Sequence, residues 1–451
     1  MDFIFIKKSQ VLSKSSIISG WGNFPKILGE VMSVSNQNQL KKVTIADQTI
    51  IPFGNGRSYG DSALNNKMVQ FNESKKAIEL NTKTGIVEVN AGVQLGELIE
   101  YAIQFGWFPP VVPGTKFVTI GGAIAADIHG KNQHIDGCFS QHIISFKIML
   151  ADGSIVQCSN QENSDLFKAT SGGMGLTGII LNAKIKMMSV QSNLIEQTCY
   201  QAKNINELLS LFTQYDSMRY SVAWIDCTAK GDNLGRGILY TGDFNAQACL
   251  QETNKSIKTG ISIPFFLPSW IINKYSLKIF NMFYYYFSSL NKNKKVNIDY
   301  NKFFFPLDTL KNWNKLYGKK GFLQYQFVLP LEHSPVGIKK ILTLISESGQ
   351  GSPLAVLKLF GSENENYLSF PMKGYTLALD FKRQPNLFSL LDELDKIVIK
   401  YGGKIYLAKD ARMSENDFKK GYKYIHKFLK YRSQQKMVEK FQSLQSKRLN
   451  L

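Results

Sequence analysis

Three glycine-rich loops fall within residues 52–180, and they constrain the fold more than any other feature of the sequence. The first reads Pro52-Phe-Gly-Asn-Gly-Arg-Ser-Tyr-Gly-Asp61 and follows an apolar run. The second is Pro113-Gly-Thr-Lys-Phe-Val-Thr-Ile-Gly-Gly-Ala-Ile-Ala-Ala-Asp-Ile-His-Gly-Lys-Asn132, and the third Ser171-Gly-Gly-Met-Gly-Leu-Thr-Gly-Ile-Ile180. Glycine permits positive φ and close approach of backbone to a ligand, so successive N–H groups can form a concave nest for an anion. In the second loop, Thr119-Ile-Gly-Gly-Ala-Ile-Ala-Ala can open a helix, and its small side chains suit a flat ring lying against backbone. The spacing matches neither a Walker loop nor the Rossmann GxGxxG that precedes a helix. One such loop is most often only a turn; three in about 130 residues are a much stronger signal of anion binding than any one.

Around the loops lie short β-runs and helices without regular βαβ alternation, which predicts an α+β class. Strands are predicted at Lys42-Val-Thr-Ile, Ile86-Val-Glu-Val-Asn, Ile144-Ser-Phe-Lys-Ile-Met-Leu and Ile179–Met187, and a helix begins at Leu95. From about 191 glycine thins out while aromatics and lysines increase. Residues 206–220 read as a helix and Tyr220-Ser-Val-Ala-Trp-Ile-Asp as a strand. Residues 321–330 alternate strictly, which puts Gln324 and Gln326 on one face and Tyr325 and Phe327 on the other. Two glutamines on one face need a partner or a cavity. The last 45 residues read as a strand, Lys404-Ile-Tyr-Leu-Ala, followed by a long basic helix.

The chain has 451 residues, enough for two domains. Its five cysteines form no CxxC pair, so the expectation is no metal site, no disulfide framework and a reducing compartment. The start, Met1-Asp-Phe-Ile-Phe-Ile-Lys-Lys, has too short an apolar run for a signal peptide, and no stretch is long enough to span a bilayer. A cytoplasmic protein, or one peripheral at the inner membrane, is expected. The net charge of +19 points to an anionic partner, although an AT-rich coding bias also favours lysine. With no Lys/Arg block repeated and no RNP-like motif, nucleic acid is not expected.

In order and spacing the three loops resemble the FAD domain of the vanillyl-alcohol-oxidase (PCMH-type) superfamily. The Asp127-Ile-His-Gly-Lys-Asn132 variant resembles specifically the decaprenylphosphoryl-β-D-ribose 2′-oxidases. The likeness continues through Tyr220–Asp226, Gly321–Phe327, Val356–Gly361, Leu368–Pro371 and Ala408–Arg412, and is weak only around 250–300. It implies an FAD domain at 1–190, an inserted substrate domain on an antiparallel sheet at 191–403, and a segment at 404–451 that returns to the FAD domain. It assigns FAD contact to Phe53, Gly54, Gly56, Arg57, Ser58, Tyr59, Gly60, Gly114, Thr119, Gly121, Gly122, Ala126, His129, Ile179 and Tyr406. It puts Lys131, Trp224, Gln324, Gln326 and Lys358 near the substrate, with Lys409 or His129 as the base. Lys131 and Lys358 could hold substrate phosphate or lower the pKa of Lys409. Related oxidases attach FAD through a histidine in the first loop; here that loop reads Arg57-Ser58-Tyr59, so noncovalent FAD is implied. Ala378 stands where the mycobacterial members carry a cysteine that the oxidation does not need.

The implied activity is oxidation of the 2′-hydroxyl of a polyprenyl-phosphoryl ribose, the first half of an epimerisation to arabinose for the cell envelope. An NAD(P)H-dependent reductase would complete it. The alternative is an alditol or aldonolactone oxidase acting on a soluble sugar. The aromatic, lysine-flanked stretch 261–295 reads either as a lid that touches a membrane or as an insertion packed on the substrate domain.

Overall fold

The computed structural model describes residues 12–46, 48–72, 77–250, 261–268, 270–288, 290 and 292–451. The N-terminal stretch Met1–Lys8 and positions 269, 289 and 291 of the aromatic segment lie outside the described residues. The class is α+β, built on three main sheets.

A four-stranded mixed sheet has the order Leu12–Ser19, Lys26–Val34, Lys67–Phe71, Ile51–Pro52. The short strand Ile51–Pro52 delivers the chain directly into the first glycine loop. A five-stranded antiparallel sheet follows, ordered Ile78–Asn81, Ile86–Asn90, Ile179–Lys186, Ile143–Met149, Ile155–Cys158. Its central strand Ile179–Lys186 leaves the third glycine loop. The six-residue helix Ile120–Ala125 carries the second loop, and the Thr119 hydroxyl accepts from Gly122 N at 3.2 Å as its cap. One buried cluster, including Val87, Leu98, Ile124 and Ile185, joins that helix to the five-stranded sheet.

The third sheet has eight strands and is antiparallel throughout: Lys295–Asp299, Leu194–Ala202, Gly237–Phe244, Tyr220–Ile225, Ala355–Phe360, Gly374–Lys382, Phe322–Pro330, Lys404–Ile405. Helices Ile205–Gln214, Ser334–Ser348 and Leu387–Lys400 bury their apolar stripes against one of its faces. The other face stays open toward the glycine loops, and this arrangement makes the site.

Two local expectations are corrected. Lys42-Val-Thr-Ile is not a strand; it ends the helix Gln37–Ile45. Asn36 caps that helix by accepting from Gln39 N at 2.9 Å, and Leu40, Val43 and Thr44 turn inward together. A β-branched run yields here to a cap and an i, i+3, i+4 face. The long basic C-terminal helix is instead three short helices, Glu415–Gly421, Ile425–Gln434 and Leu444–Leu449, after a strand of only Lys404–Ile405. Each break serves a contact with the first part of the chain: Ile50 N donates to Lys440 O at 2.8 Å and Leu444 N to Leu64 O at 2.8 Å. The fully buried Arg432 donates to Leu176 O (3.0 Å) in the third glycine loop and to Phe441 O (2.6 Å).

Candidate functional site

A cavity of about 570 Å³ lies between the glycine loops and the open face of the eight-stranded sheet. On the loop side the absence of side chains is a packing requirement. A Cβ on Gly54 would meet Thr119 Oγ1 at 2.5 Å, and one on Gly121 would meet Ala91 Cβ at 3.1 Å, whereas one on Gly114 would meet nothing within 4 Å. Gly56 has φ +59°, the left-handed turn that lets the first loop fold back. Beside it the Arg57 guanidinium is sandwiched by Trp21 (4.3 Å) and Phe117 (5.0 Å), and its buried Nε has no partner. Burial lowers the Arg57 pKa, against an upward pull from Asp308. A backbone-lined cradle with an unsatisfied cation beside it fits a large, flat, anionic cofactor such as FAD.

Strand alternation builds the opposite wall. Gln324 and Gln326 project from Phe322–Pro330, Lys358 from Ala355–Phe360, and Ala378 and Asp380 from Gly374–Lys382, all lining the cavity. The register sets Gln324 against Asp380, Gln326 against Ala378 and Lys358 against Thr376. Gln324 Nε2 donates to Asp380 Oδ1 at 2.6 Å. Tyr325, on the reverse face, donates to Asp395 at 2.9 Å under the helices.

His129 is buried where the second loop meets this wall. Its ring packs on Phe360 (4.8 Å), Tyr406 (5.1 Å) and Phe370 (5.6 Å). Burial first, then the charges of Lys358 and Lys409, push its pKa well below the ordinary value, so the imidazole is neutral. Gln326 Nε2 lies 3.0 Å from His129 Nε2 and 3.2 Å from Thr376 Oγ1. With the amide donating, Nε2 accepts and the ring proton sits on Nδ1, which is buried without a partner. Asp127 fixes the approach to this histidine. It has φ +39°, is fully buried, and accepts from Ser369 Oγ (2.6 Å), Asn364 Nδ2 (2.7 Å), Asn366 Nδ2 (3.0 Å) and Ser140 N (3.1 Å).

Lys409 follows the strand Lys404–Ile405 in a turn where its N–H donates to Tyr406 O at 3.0 Å. Its ammonium lies 3.8 Å from the centre of the Tyr59 ring. Desolvation lowers its pKa to about 7, with Asp380 opposing and Lys358 adding to the shift. Burial brings Lys358 to about 8. Burial also raises Asp380 to about 7, opposed by the Gln324 hydrogen bond and by Lys409. Two lysines and one carboxyl thus titrate near neutrality on one wall, as sites of proton transfer commonly do.

The Tyr59 and Lys409 segments are locked together. Tyr59 N donates to Ala408 O at 3.0 Å, and Arg448 pairs with both Asp61 and Asp410 at 2.8 Å. Both carboxylates are buried, so removing Arg448 would cost about 3–5 kcal/mol.

Of the residues anticipated from sequence, the cavity wall contains all the flavin candidates except Gly60, together with Gln324, Gln326, Lys358, Lys409 and His129. Gly60 packs on the Asp410 carbonyl instead. Lys131 and Trp224 do not line the cavity. Lys131 donates to Phe303 O and sits over the Phe303 ring at 4.2 Å, with a pKa lowered by burial to about 7. Trp224 is buried with Cys199 and Ile238 and meets Tyr284 at 4.7 Å. Sequence reasoning missed Asp380, Asp308 and Trp313. Period-two alternation of Tyr375–Phe381 would have put Asp380 on the Ala378 face; Asp308 and Trp313 come from the short 3-10 helices Pro306–Thr309 and Trp313–Tyr317, which carry no such signal.

The FAD binding domain family matches residues 34–159. The decaprenylphosphoryl-β-D-ribose oxidase of Mycolicibacterium smegmatis is 34% identical over 453 residues, covering 96% of this chain and 97% of that protein. An uncharacterised Streptomyces coelicolor protein is 27% identical over 71% of this chain and 90% of its own length. A putative D-arabinono-1,4-lactone oxidase of Neurospora crassa is 28% identical over 41% of this chain and 34% of its own. With a glycine cradle suited to FAD and full-length likeness to an oxidase, the chain is an FAD-dependent oxidoreductase that belongs to the decaprenylphosphoryl-β-D-ribose oxidase family.

Proposed function

We propose that the protein oxidises the 2′-hydroxyl of a polyprenyl-phosphoryl ribose to the 2′-keto sugar, beginning an epimerisation to arabinose for the cell envelope. The observation that carries this reading is the wall of Gln324, Gln326, Lys358 and Lys409 facing the glycine cradle across one cavity. It offers polar groups for a sugar and cationic groups for a phosphate. Noncovalent FAD, held by the three loops with Arg57 beside them, supplies the two-electron acceptor when bound. The carbon gives up a hydride and the hydroxyl a proton, and Lys409 Nζ takes that proton. Lys409 is preferred to His129 because His129 Nε2 already accepts from Gln326, which leaves only a donor at Nδ1. That donor suits a hydrogen bond to the sugar or the flavin. Gln324 and Gln326 orient the sugar and Lys358 attracts the phosphate. Lys131 and Trp224 support the wall from outside the cavity.

The division into 1–190, 191–403 and 404–451 belongs to the same reading, with 406–451 bracing the flavin loops. So does a separate NAD(P)H-dependent reductase, because a keto sugar becomes an epimer only when hydride returns to the opposite face. Anaerobic mixing with candidate substrates tests the assignment. A polyprenyl-phosphoryl ribose should bleach the flavin, while alditols and aldonolactones should not. Bleaching by the soluble sugars alone would transfer the assignment to a free-sugar oxidase.

A further inference from the structure

Residues 261–298 contain five lysines and neither aspartate nor glutamate. The helix Lys274–Ser288 within them is fixed on its inner side. Buried Asn281 donates to Asp226 Oδ1 at 2.8 Å, and Asp226 is itself paired with Arg236 at 2.8 Å. Gln201 Nε2 donates to Tyr285 O at 2.8 Å. Its outer side carries Tyr275, Ile279, Phe283, Tyr286 and Phe287, all exposed, with Phe287 at 65% and the nearby Trp270 at 74%. A contiguous surface of such rings is rare on a protein that meets only water. Exposed Lys274, Lys278, Lys292, Lys294 and Lys295 flank it.

Continuity with the cavity gives this face a place in the reaction. Strand Ile261–Ser262 pairs in parallel with Leu310–Lys311, and Leu310 and Lys311 line the cavity edge. Ile263 N donates to Lys311 O at 2.9 Å and Leu267 N to Lys315 O at 3.0 Å. No described helix is long and apolar enough to cross a membrane. A second copy of this chain is a poor occupant, because two such faces would set lysines against lysines, and Glu196 at the edge is already paired with Lys295 at 2.7 Å.

We propose that this aromatic, lysine-rimmed face rests on an anionic bilayer surface. The cavity edge at Leu310 and Lys311 then meets the bilayer, and a lipid-linked sugar enters while its prenyl chain stays in the membrane. Aromatic rings settle at headgroup depth and lysines pair with anionic lipid. The proposal rests on the lipid-linked substrate reading.

The test is co-sedimentation of the full-length holoprotein with vesicles of phosphatidylcholine alone or mixed equally with phosphatidylglycerol. Wild type should pellet with the mixed vesicles, and less so in high salt. Combining Tyr275→Ser, Ile279→Ser, Phe283→Ser and Phe287→Ser should weaken binding on the order of tenfold or more with flavin retained. Combining Lys292→Gln, Lys294→Gln and Lys295→Gln should weaken binding to the anionic vesicles specifically. Wild-type protein that stays in the supernatant, serine variants that bind undiminished, or a wild-type dimer that those serines convert to monomer would each overturn the proposal. A water-soluble, short-prenyl phosphoryl ribose separates the two readings. If it fails to reduce the wild-type flavin, the substrate reading fails; if it reduces it while vesicles are ignored, only the membrane surface fails.

Discussion

Replacing Lys409 with Met keeps most of the side-chain volume and removes the amine 3.8 Å from the centre of the Tyr59 ring. With a pKa of about 7, the amine is half neutral at pH 7 and about one-tenth neutral at pH 6. If Lys409 accepts the hydroxyl proton, flavin reduction in the wild type should rise about fivefold from pH 6 to 7 and only about twofold more by pH 9. The Met variant should reduce its flavin about 10²–10⁴-fold more slowly and lose that pH dependence. Asp380 raises the Lys409 pKa, so Asp380→Asn should move the midpoint of the profile to lower pH. Removing the amine should lower activity but raise stability. Below pH 7 the folded and unfolded chains both carry the proton, and the cost of burying it is complete. Between about 7 and 10.5 the unfolded chain binds a proton that the folded chain has lost, so stability rises with pH; above 10.5 the contribution is gone. At pH 7 the cost is on the order of 4 kcal/mol, offset by about 1 kcal/mol of ammonium–ring attraction that Met also removes. Lys409→Met should therefore unfold a few degrees higher than wild type at pH 7, a gain that shrinks towards pH 10. Stopped-flow reduction over pH and thermal unfolding at the two pH values measure both effects. A Met variant that reduces its flavin at the wild-type rate refutes the base; one no more stable at pH 7 refutes the depressed pKa.

Gly60→Ala would place a Cβ 1.7 Å from the Asp410 carbonyl oxygen, backbone against backbone, and should cost more than about 3 kcal/mol and the flavin with it; a variant that melts like wild type shows that this contact yields. Acid precipitation should leave the protein pellet colourless, with all flavin in the supernatant, because the Arg57-Ser58-Tyr59 loop lacks a histidine; a yellow pellet would reveal a covalent bond formed elsewhere.

The sequence by itself determined the parts governed by local rules. Glycines at 54, 121 and 122 line the cavity, and their spacing along the chain is enough to locate that wall. Alternation along 322–330 put Gln324 and Gln326 on the cavity wall because a strand turns its side chains by a period of two. Tertiary structure decided what depends on register and on distant segments meeting. Asp380 faces Gln324 only because two strands 56 residues apart pair in that register. Lys409 meets Tyr59 only because the chain returns after some 350 residues and Arg448 locks the two segments. Lys131 adjoins the histidine motif in sequence, yet its ammonium turns to the Phe303 carbonyl, since a buried cation takes the nearest acceptor. Trp224 shares the face of Val356, beside it in register, but is covered by Tyr284 and so does not reach the cavity. Lys42–Ile45 became helical because Asn36 supplied a cap and the sheet supplied an apolar surface, neither of which a four-residue β-branched run reports. Periodicity and glycine spacing are properties of neighbouring residues; a pKa, a register and a cavity wall belong to residues that only the folded chain makes neighbours.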